Sequence, residues 1–328
     1  MEDNNVENKM PTLEVEQSSD IDKLINDDIE TLDSNEIIEE DGRSGFIKLP
    51  HGLALTVAET YPITASEVSK TIILIGPIDS GKTTIETTIY QLFQRKPFAG
   101  LYFAGSQSLF GYEERSFYTR LESKKETATT PRTSRFADEI FLHLKLYDST
   151  TKTKTNYLFG DISGEEIYSH LGNVETISEK MPYLKSVDSY VFILDGKQLA
   201  DKNKRNGAID QAYNMARTIF DAKLYSSSTR VQVLISKYDI IKNNDDANLE
   251  TTIDKRLECI VDLLKKYVRE VTVHKVAAMP EPGDFEVGYG LEELLSTWNK
   301  PHIDTQVIES YMIDCQLDSE FNKLIYKM

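Results

Sequence analysis

The stretch Thr71-Ile72-Ile73-Leu74-Ile75-Gly76-Pro77-Ile78-Asp79-Ser80-Gly81-Lys82-Thr83-Thr84 decides how the chain is read. Its first five residues form a continuous β-branched and apolar run, as expected of a strand buried on both faces of a parallel sheet. The run ends at Gly76. From Thr83 to Arg95, Ile85, Ile89, Leu92 and Phe93 recur at helical spacing, and Pro97 stops the helix. Between strand and helix stands G-x-x-x-x-G-K-T, in which glycines let backbone N–H groups curl around phosphates and the helix N-terminus adds positive potential. In that arrangement Lys82 reaches the β and γ phosphates of a nucleotide and the Thr83 hydroxyl ligates Mg2+. Gly76, Asp79, Ser80, Gly81, Lys82, Thr83 and Thr84 are the expected phosphate-site residues, with Lys82 also catalytic.

Further along, Phe141 to Tyr147 alternates, a polar turn covers Ser149 to Thr155, and Tyr157-Leu158-Phe159 reads as the second arm of a hairpin. Ser189 to Leu194, Arg230 to Ile235 and Val271 to Val276 are three further strand candidates, separated by helical stretches at roughly 173–186, 206–223 and 249–268. Strand and helix alternate, which predicts an α/β fold of the P-loop, G-domain-like kind: a mostly parallel sheet flanked by helices. A closing helix is expected from Gly290 to Trp298, and one or two more between Ile303 and Leu324. Before the central strand, Ser44 to Val57 reads as a small hairpin. Residues 97–112 mix three glycines with five aromatics and predict neither a clean helix nor a clean strand; they are either extra core or a partner surface.

The net charge of −17 is unevenly spread. Residues 1–43 hold fifteen Asp/Glu and three Lys/Arg, a net −12, which leaves −5 for the rest. With no aromatic residue, that segment lacks the apolar surface to offset its ordering entropy, so a disordered acidic tail is expected. Ile21, Leu24, Ile25, Ile29 and Leu32 recur within it at near-helical spacing, which also fits a short helix docking on a partner. The expected organisation is therefore tail 1–43, nucleotide domain 44–300 and helical extension 301–328. No basic stripe suits nucleic acid, and no apolar run approaches a membrane span. The acidic start is unlike a signal peptide. Cys259 and Cys315 are too few for a disulfide framework and are read as partly buried free thiols, so a cytoplasmic location is expected.

Two acidic residues extend the phosphate site. Asp161 begins Asp161-Ile162-Ser163-Gly164 at the end of a strand candidate, where a carboxylate is needed for the magnesium. Gly164 is placed to give its N–H to a γ-phosphate. Ser236-Lys237-Tyr238-Asp239 follows another strand and is similar to an N/T-K-x-D guanine motif, in which the carboxylate accepts N1–H and the 2-amino group while the lysine stem covers the base. Adenine offers neither donor, so Asp239 is the expected specificity residue. Ser236 replaces the usual Asn or Thr, weakening one tie between base and loop. Ala277-Ala278-Met279 stands where GTPases place a small-residue loop whose backbone N–H reads guanine O6, and Ala277 is the candidate taken from it. In the polar segment Thr129 to Ser134, Thr130 and Thr133 are candidates to close on Mg2+, and Arg132 to supply transition-state charge.

The order of G-P-I-D-S-G-K-T-T, D-I-S-G and S-K-Y-D resembles the translation-factor-related class of GTPases, in which an aspartate at the place of Asp79 helps hold a monovalent cation. Gln91-Leu92-Phe93-Gln94-Arg95, Pro97-Phe98-Ala99-Gly100, Phe103-Ala104-Gly105-Ser106 and Gly111-Tyr112-Glu113-Glu114-Arg115 further resemble the bacterial double-GTPase family over roughly residues 44–300. That resemblance implies GTP/GDP and Mg2+ as ligands and a switch role in a conflict or anti-phage system. It also implies a partner protein, a second GTPase-type component encoded nearby. Glu165 stands where that class has His and many GTPases have Gln; a glutamate there can orient the attacking water, at an electrostatic cost beside a γ-phosphate. Two alternatives stay open: a GTP-dependent interaction module with little intrinsic hydrolysis, and an ATPase or small-molecule kinase sharing the loop, which leaves Asp239 unexplained.

Overall fold

The computed structural model describes residues 50–117, 139–163, 167, 169, 173–281, 283 and 285–301. The chain separates into two units, Met1–Leu49 and Pro50–Met328, and the described residues all belong to the second. The acidic tail, the segment with Thr130, Arg132 and Thr133, the pair Gly164 and Glu165, and the expected extension past Pro301 lie outside the described residues.

One sheet organises the domain. Its strands are β1 (Leu55–Thr56), β2 (Ser69–Gly76), β3 (Leu101–Gly105), β4 (Glu139–Asp148), β5 (Thr153–Ser163), β6 (Ser189–Asp195), β7 (Arg230–Ser236) and β8 (Val271–Lys275). They lie in the order β1-β4-β5-β2-β6-β7-β8, with β3 also paired to β4. The ladders from β5 through β8 are parallel, and β4 is antiparallel to β5, β1 and β3. The β4–β5 hairpin follows from its turn, where Asp148 Oδ1 accepts from Thr150 N at 2.8 Å and Thr151 N at 3.2 Å.

The apolar run of β2 divides strictly between two faces, as the strand period of two requires. Ile73 and Ile75 join Phe192, Val233 and Ile235, together with Ile177 of α4 (Val174–Lys180), in the core beneath α6 (Arg205–Asp221) and α8 (Leu249–Leu264). Ile72 and Leu74 join Phe159 and Ile193 beneath α2 (Lys82–Arg95) and α9 (Leu291–Asn299), whose Trp298 is fully buried. The central strand is thus covered on both sides and its carboxyl end emerges between the helix layers. Among the described residues no helix is long and apolar enough to cross a membrane.

Three expectations need correction. Of the segment Ser44–Val57 expected as a hairpin only residues 50–57 are described, and there β1 pairs with β4 and α1 (Val57–Ser66) follows at once. A capping box starts that helix, with Thr56 Oγ1 accepting from Glu59 N and Glu59 Oε2 accepting from Thr56 N. Residues 97–112 hold the edge strand β3 and the start of α3 (Leu109–Ser116). Leu101 and Tyr112 are core, whereas Tyr102, Phe103 and Phe110 are exposed, so the aromatics there are of two kinds. Cys259 is exposed, on the outer face of α8.

Candidate functional site

The carboxyl ends of β2, β6, β7 and β8 all point the same way, and in such sheets ligands bind outside those ends. At the end of β2 the loop turns back under itself. A Cβ on Gly76 would sit 2.7 Å from Ser80 Oγ and 2.9 Å from the Ile193 carbonyl, so only glycine lets the loop leave the sheet here. Asp79 and Gly81 take positive φ, 61° and 89°, and Gly81 caps α2. The first amides of a helix have no intrahelical acceptor, so α2 opens an N–H-rich end onto the loop. Lys82 curls back over it, its Nζ donating to the Gly76 and Pro77 carbonyls, each at 3.1 Å.

Ser80 occupies a different place from its neighbours. Its hydroxyl is fully buried under the loop and has no hydrogen-bond partner among the described residues. Ser80 therefore offers a phosphate only its backbone, and its side chain fills the loop floor.

The other end of the site is built on β7. Ser236 closes the strand, Lys237 turns with φ 49° and ψ 44°, and α7 (Tyr238–Lys242) begins. That left-handed turn swings the lysine stem back toward the phosphate loop, where its Nζ donates to the Asp79 carbonyl at 2.5 Å and lies 3.1 Å from Asp195 Oδ1. Two of the five non-glycine residues with positive φ among the described residues thus meet each other. Asp239, buried in the first turn of α7, accepts from Glu281 N at 3.3 Å through Oδ2. A carboxylate has about four acceptor sites, so capacity for further donors remains. A cavity of about 230 Å³ opens here, lined by Gly81, Thr84, Ile85, Ser236, Lys237, Asp239, Ile240, Val276, Ala278, Met279 and Glu281.

Behind the cavity, α7 is locked by Glu250, which accepts from Lys242 Nζ at 2.7 Å, Lys275 Nζ at 2.8 Å and the Tyr238 hydroxyl. These donors hold the Glu250 carboxyl down to about 2. Burial, followed by the bond to Glu250, pushes the Tyr238 hydroxyl well above its usual range. Tyr238 also packs with Phe285 and Tyr289, which close the loop carrying Glu281.

The structure therefore brings Gly76, Asp79, Gly81, Lys82, Thr83, Thr84, Lys237 and Asp239 to one end of the sheet. Asp161 lies on β5, opposite Leu74 in the ladder beside β2; its side chain is outside the described set. Ala277 requires correction, because its N–H donates to the Tyr289 carbonyl at 3.0 Å in a β-bridge. One residue further on, Ala278 and Met279 form the cavity wall instead. Ser236 does not bond to the loop either: its hydroxyl donates to the Leu194 carbonyl at 3.3 Å. The residue that sequence reasoning missed is Asp195. Its signal was present in Leu194-Asp195-Gly196, an acidic residue and a glycine directly after a buried strand.

A parallel sheet whose central strand ends in a phosphate loop, with a lysine and an aspartate delivered beside it by β7, defines a P-loop nucleotide-binding domain of the G-domain type. The profile of the family described as Double-GTPase 2 matches residues 70–299, and the chain belongs to that family. It is accordingly a GTP-binding protein. A comparison with curated proteins finds no match.

Proposed function

We propose that the chain binds GTP with Mg2+, hydrolyses it to GDP and phosphate, and works as a nucleotide-dependent switch. The observation that supports this best is the joined geometry of the two ends of the site. Lys237 spans from the base cavity to the Asp79 carbonyl, and Asp239 is buried at the cavity's far side. Guanine N1–H and its 2-amino group would meet the Asp239 carboxylate, and O6 would meet a backbone N–H of the cavity wall that Ala278 and Met279 form. The Thr83 hydroxyl and the Asp161 carboxylate are hard oxygen donors of the kind Mg2+ takes, on the helix and strand that flank the loop. When bound, the ion neutralises charge on the phosphates.

Lys82, Arg132, Thr133 and Glu165 are the residues proposed to act on the γ-phosphate, with Thr130 closing on the ion. A monovalent cation beside Asp79 belongs to the same proposal. So does a cytoplasmic setting in an anti-phage or conflict system, with a second GTPase-type protein as partner. Glu165 favours a second reading, a GTP-dependent interaction module that turns over slowly or only with its partner.

Titrating GTP and ATP into the full chain with Mg2+ tests the first step. GTP is expected to bind at least a hundredfold more tightly, and Lys82→Ala should weaken it by about 2–5 kcal/mol, as when one member of a buried charge pair is removed. Equal affinity for the two nucleotides would reject the guanine site. Phosphate release measured with and without the partner separates the switch from the module.

A further inference from the structure

We propose that Asp195 is a positioning residue for nucleotide binding, holding the Lys237 ammonium over the phosphate loop so that base cavity and loop act as one rigid site. The inference rests on the GTP-binding reading above and concerns a residue which that reading does not use.

Asp195 is the last residue of β6, a strand buried along its whole length. Its carboxylate does two jobs at once. Oδ1 accepts from Lys197 N at 3.0 Å, capping the short helix α5 (Gly196–Ala200), and the same oxygen lies 3.1 Å from Lys237 Nζ. Lys237 Nζ in turn reaches the Asp79 carbonyl at 2.5 Å. The lysine is thus fixed from two sides, by a buried carboxylate on β6 and by a loop carbonyl.

Backbone geometry supports the same unit. Asp195 is in register with Ser236 across the β6–β7 ladder. The next residue, Gly196, lies so close to the end of β7 that an added Cβ would sit 2.3 Å from the Ser236 carbonyl and 2.7 Å from that of Lys237. The two strand ends are therefore pressed backbone to backbone at the point where Lys237 enters its left-handed turn, and Asp239 follows two residues later. Displacing Lys237 would move the first turn of α7 and with it the Asp239 carboxylate.

This arrangement also explains how the site manages with Ser236. Its hydroxyl is spent on the Leu194 carbonyl, so no Ser236 side-chain bond ties β7 to the loop among the described residues. The Asp195–Lys237–Asp79 chain makes that tie. A lone ammonium a third exposed would sample many rotamers; beside a carboxylate that is itself buried, one rotamer is selected before nucleotide arrives.

The two jobs of Asp195 can be separated. Asparagine and serine both cap helices well, so Asp195→Asn and Asp195→Ser keep an acceptor for Lys197 N but lose the charge that holds Lys237. Both variants should unfold in urea at nearly the wild-type midpoint while binding GTP and GDP about tenfold more weakly, by the same factor for each, since neither contact involves the γ-phosphate. In a double-mutant cycle with Lys237→Met, the loss should be non-additive: the double variant binds no more weakly than Lys237→Met alone. Additive losses, or Asp195→Asn binding GTP within twofold of wild type, would overturn the proposal. Failure of the GTP site itself looks different, because wild type would then not prefer GTP to ATP and Lys237→Met would change nothing.

Discussion

Replacing Asp239 by asparagine removes one acceptor oxygen and puts an amide NH2 in its place, with almost no change in shape. Asp239 is only 6% exposed, and one oxygen already accepts from Glu281 N at 3.3 Å. Guanine brings two more donors. N1–H and the 2-amino group take one carboxylate oxygen each, so with asparagine, whichever way the amide is turned, at least one of these donors or Glu281 N–H faces the NH2. Either way one charge-assisted bond is lost, at about 1.5–3 kcal/mol, and one buried donor is stranded, at about 1–3 kcal/mol. The sum, about 2.5–6 kcal/mol, is a loss of roughly two to four orders of magnitude in GTP affinity. Xanthosine triphosphate carries a C2 carbonyl in place of the amino group, so its ring presents an acceptor to the new NH2 and keeps N1–H for the oxygen. Asp239→Asn should therefore prefer xanthosine triphosphate to GTP, reversing the wild-type order in a competition titration. A variant that binds GTP within threefold of wild type, or gains nothing for xanthosine triphosphate, would refute the assignment of Asp239 to the base.

Three further outcomes follow from packing and charge. Gly196→Ala inserts a Cβ between two backbone carbonyls that have no side-chain freedom to yield, and should destabilise the fold by about 3 kcal/mol, the upper end of the overpacking range, in urea unfolding. Gly207→Ala, on α6 with nothing within 4 Å, should be neutral or stabilising by about 0.5–1 kcal/mol in the same assay. Glu250 has a carboxyl pKa lowered from 4.5 to about 2, so its stabilisation is complete above about 4.5 and is lost as pH falls toward 2. The difference in thermal midpoint between wild type and Glu250→Gln should accordingly be largest near neutrality and shrink from about pH 5 down to pH 3. A constant difference over that range would mean that the Lys242 and Lys275 contacts do not depend on the charge.

Much of this protein is decided locally and is readable along the chain. The β2 strand, its loop and α2 are contiguous, so one run of apolar residues, the paired glycines and the Lys82-Thr83 step state the phosphate site without reference to any other segment. The β4–β5 hairpin and the alternation that yields a parallel sheet are legible for the same reason, since periods of two and 3.6 are properties of single elements. The start of α1, which no reading of the sequence placed, was signalled by Thr56-x-x-Glu59; a two-residue β1 ending on that very threonine masked it.

What tertiary structure alone decided are matters of register and of contact between distant strands. Ala277 and Ala278 are chemically alike, and only the bridge to Tyr289 determines which of them has its N–H occupied and which lines the cavity. The aromatics of residues 97–112 look uniform in sequence, yet the edge position of β3 leaves Tyr102 and Phe103 in solvent while Leu101 is core. The tie between Lys237 and the phosphate loop joins residues 158 positions apart. It depends on Asp195, whose partner no local pattern names, because the parallel crossovers bring the ends of β6 and β7 together only once the sheet has formed. Sequence by itself determined that a phosphate loop follows one buried strand and that Lys237 and Asp239 follow another; the fold decided that they line one cavity, because parallel strand ends come together only when the sheet has formed.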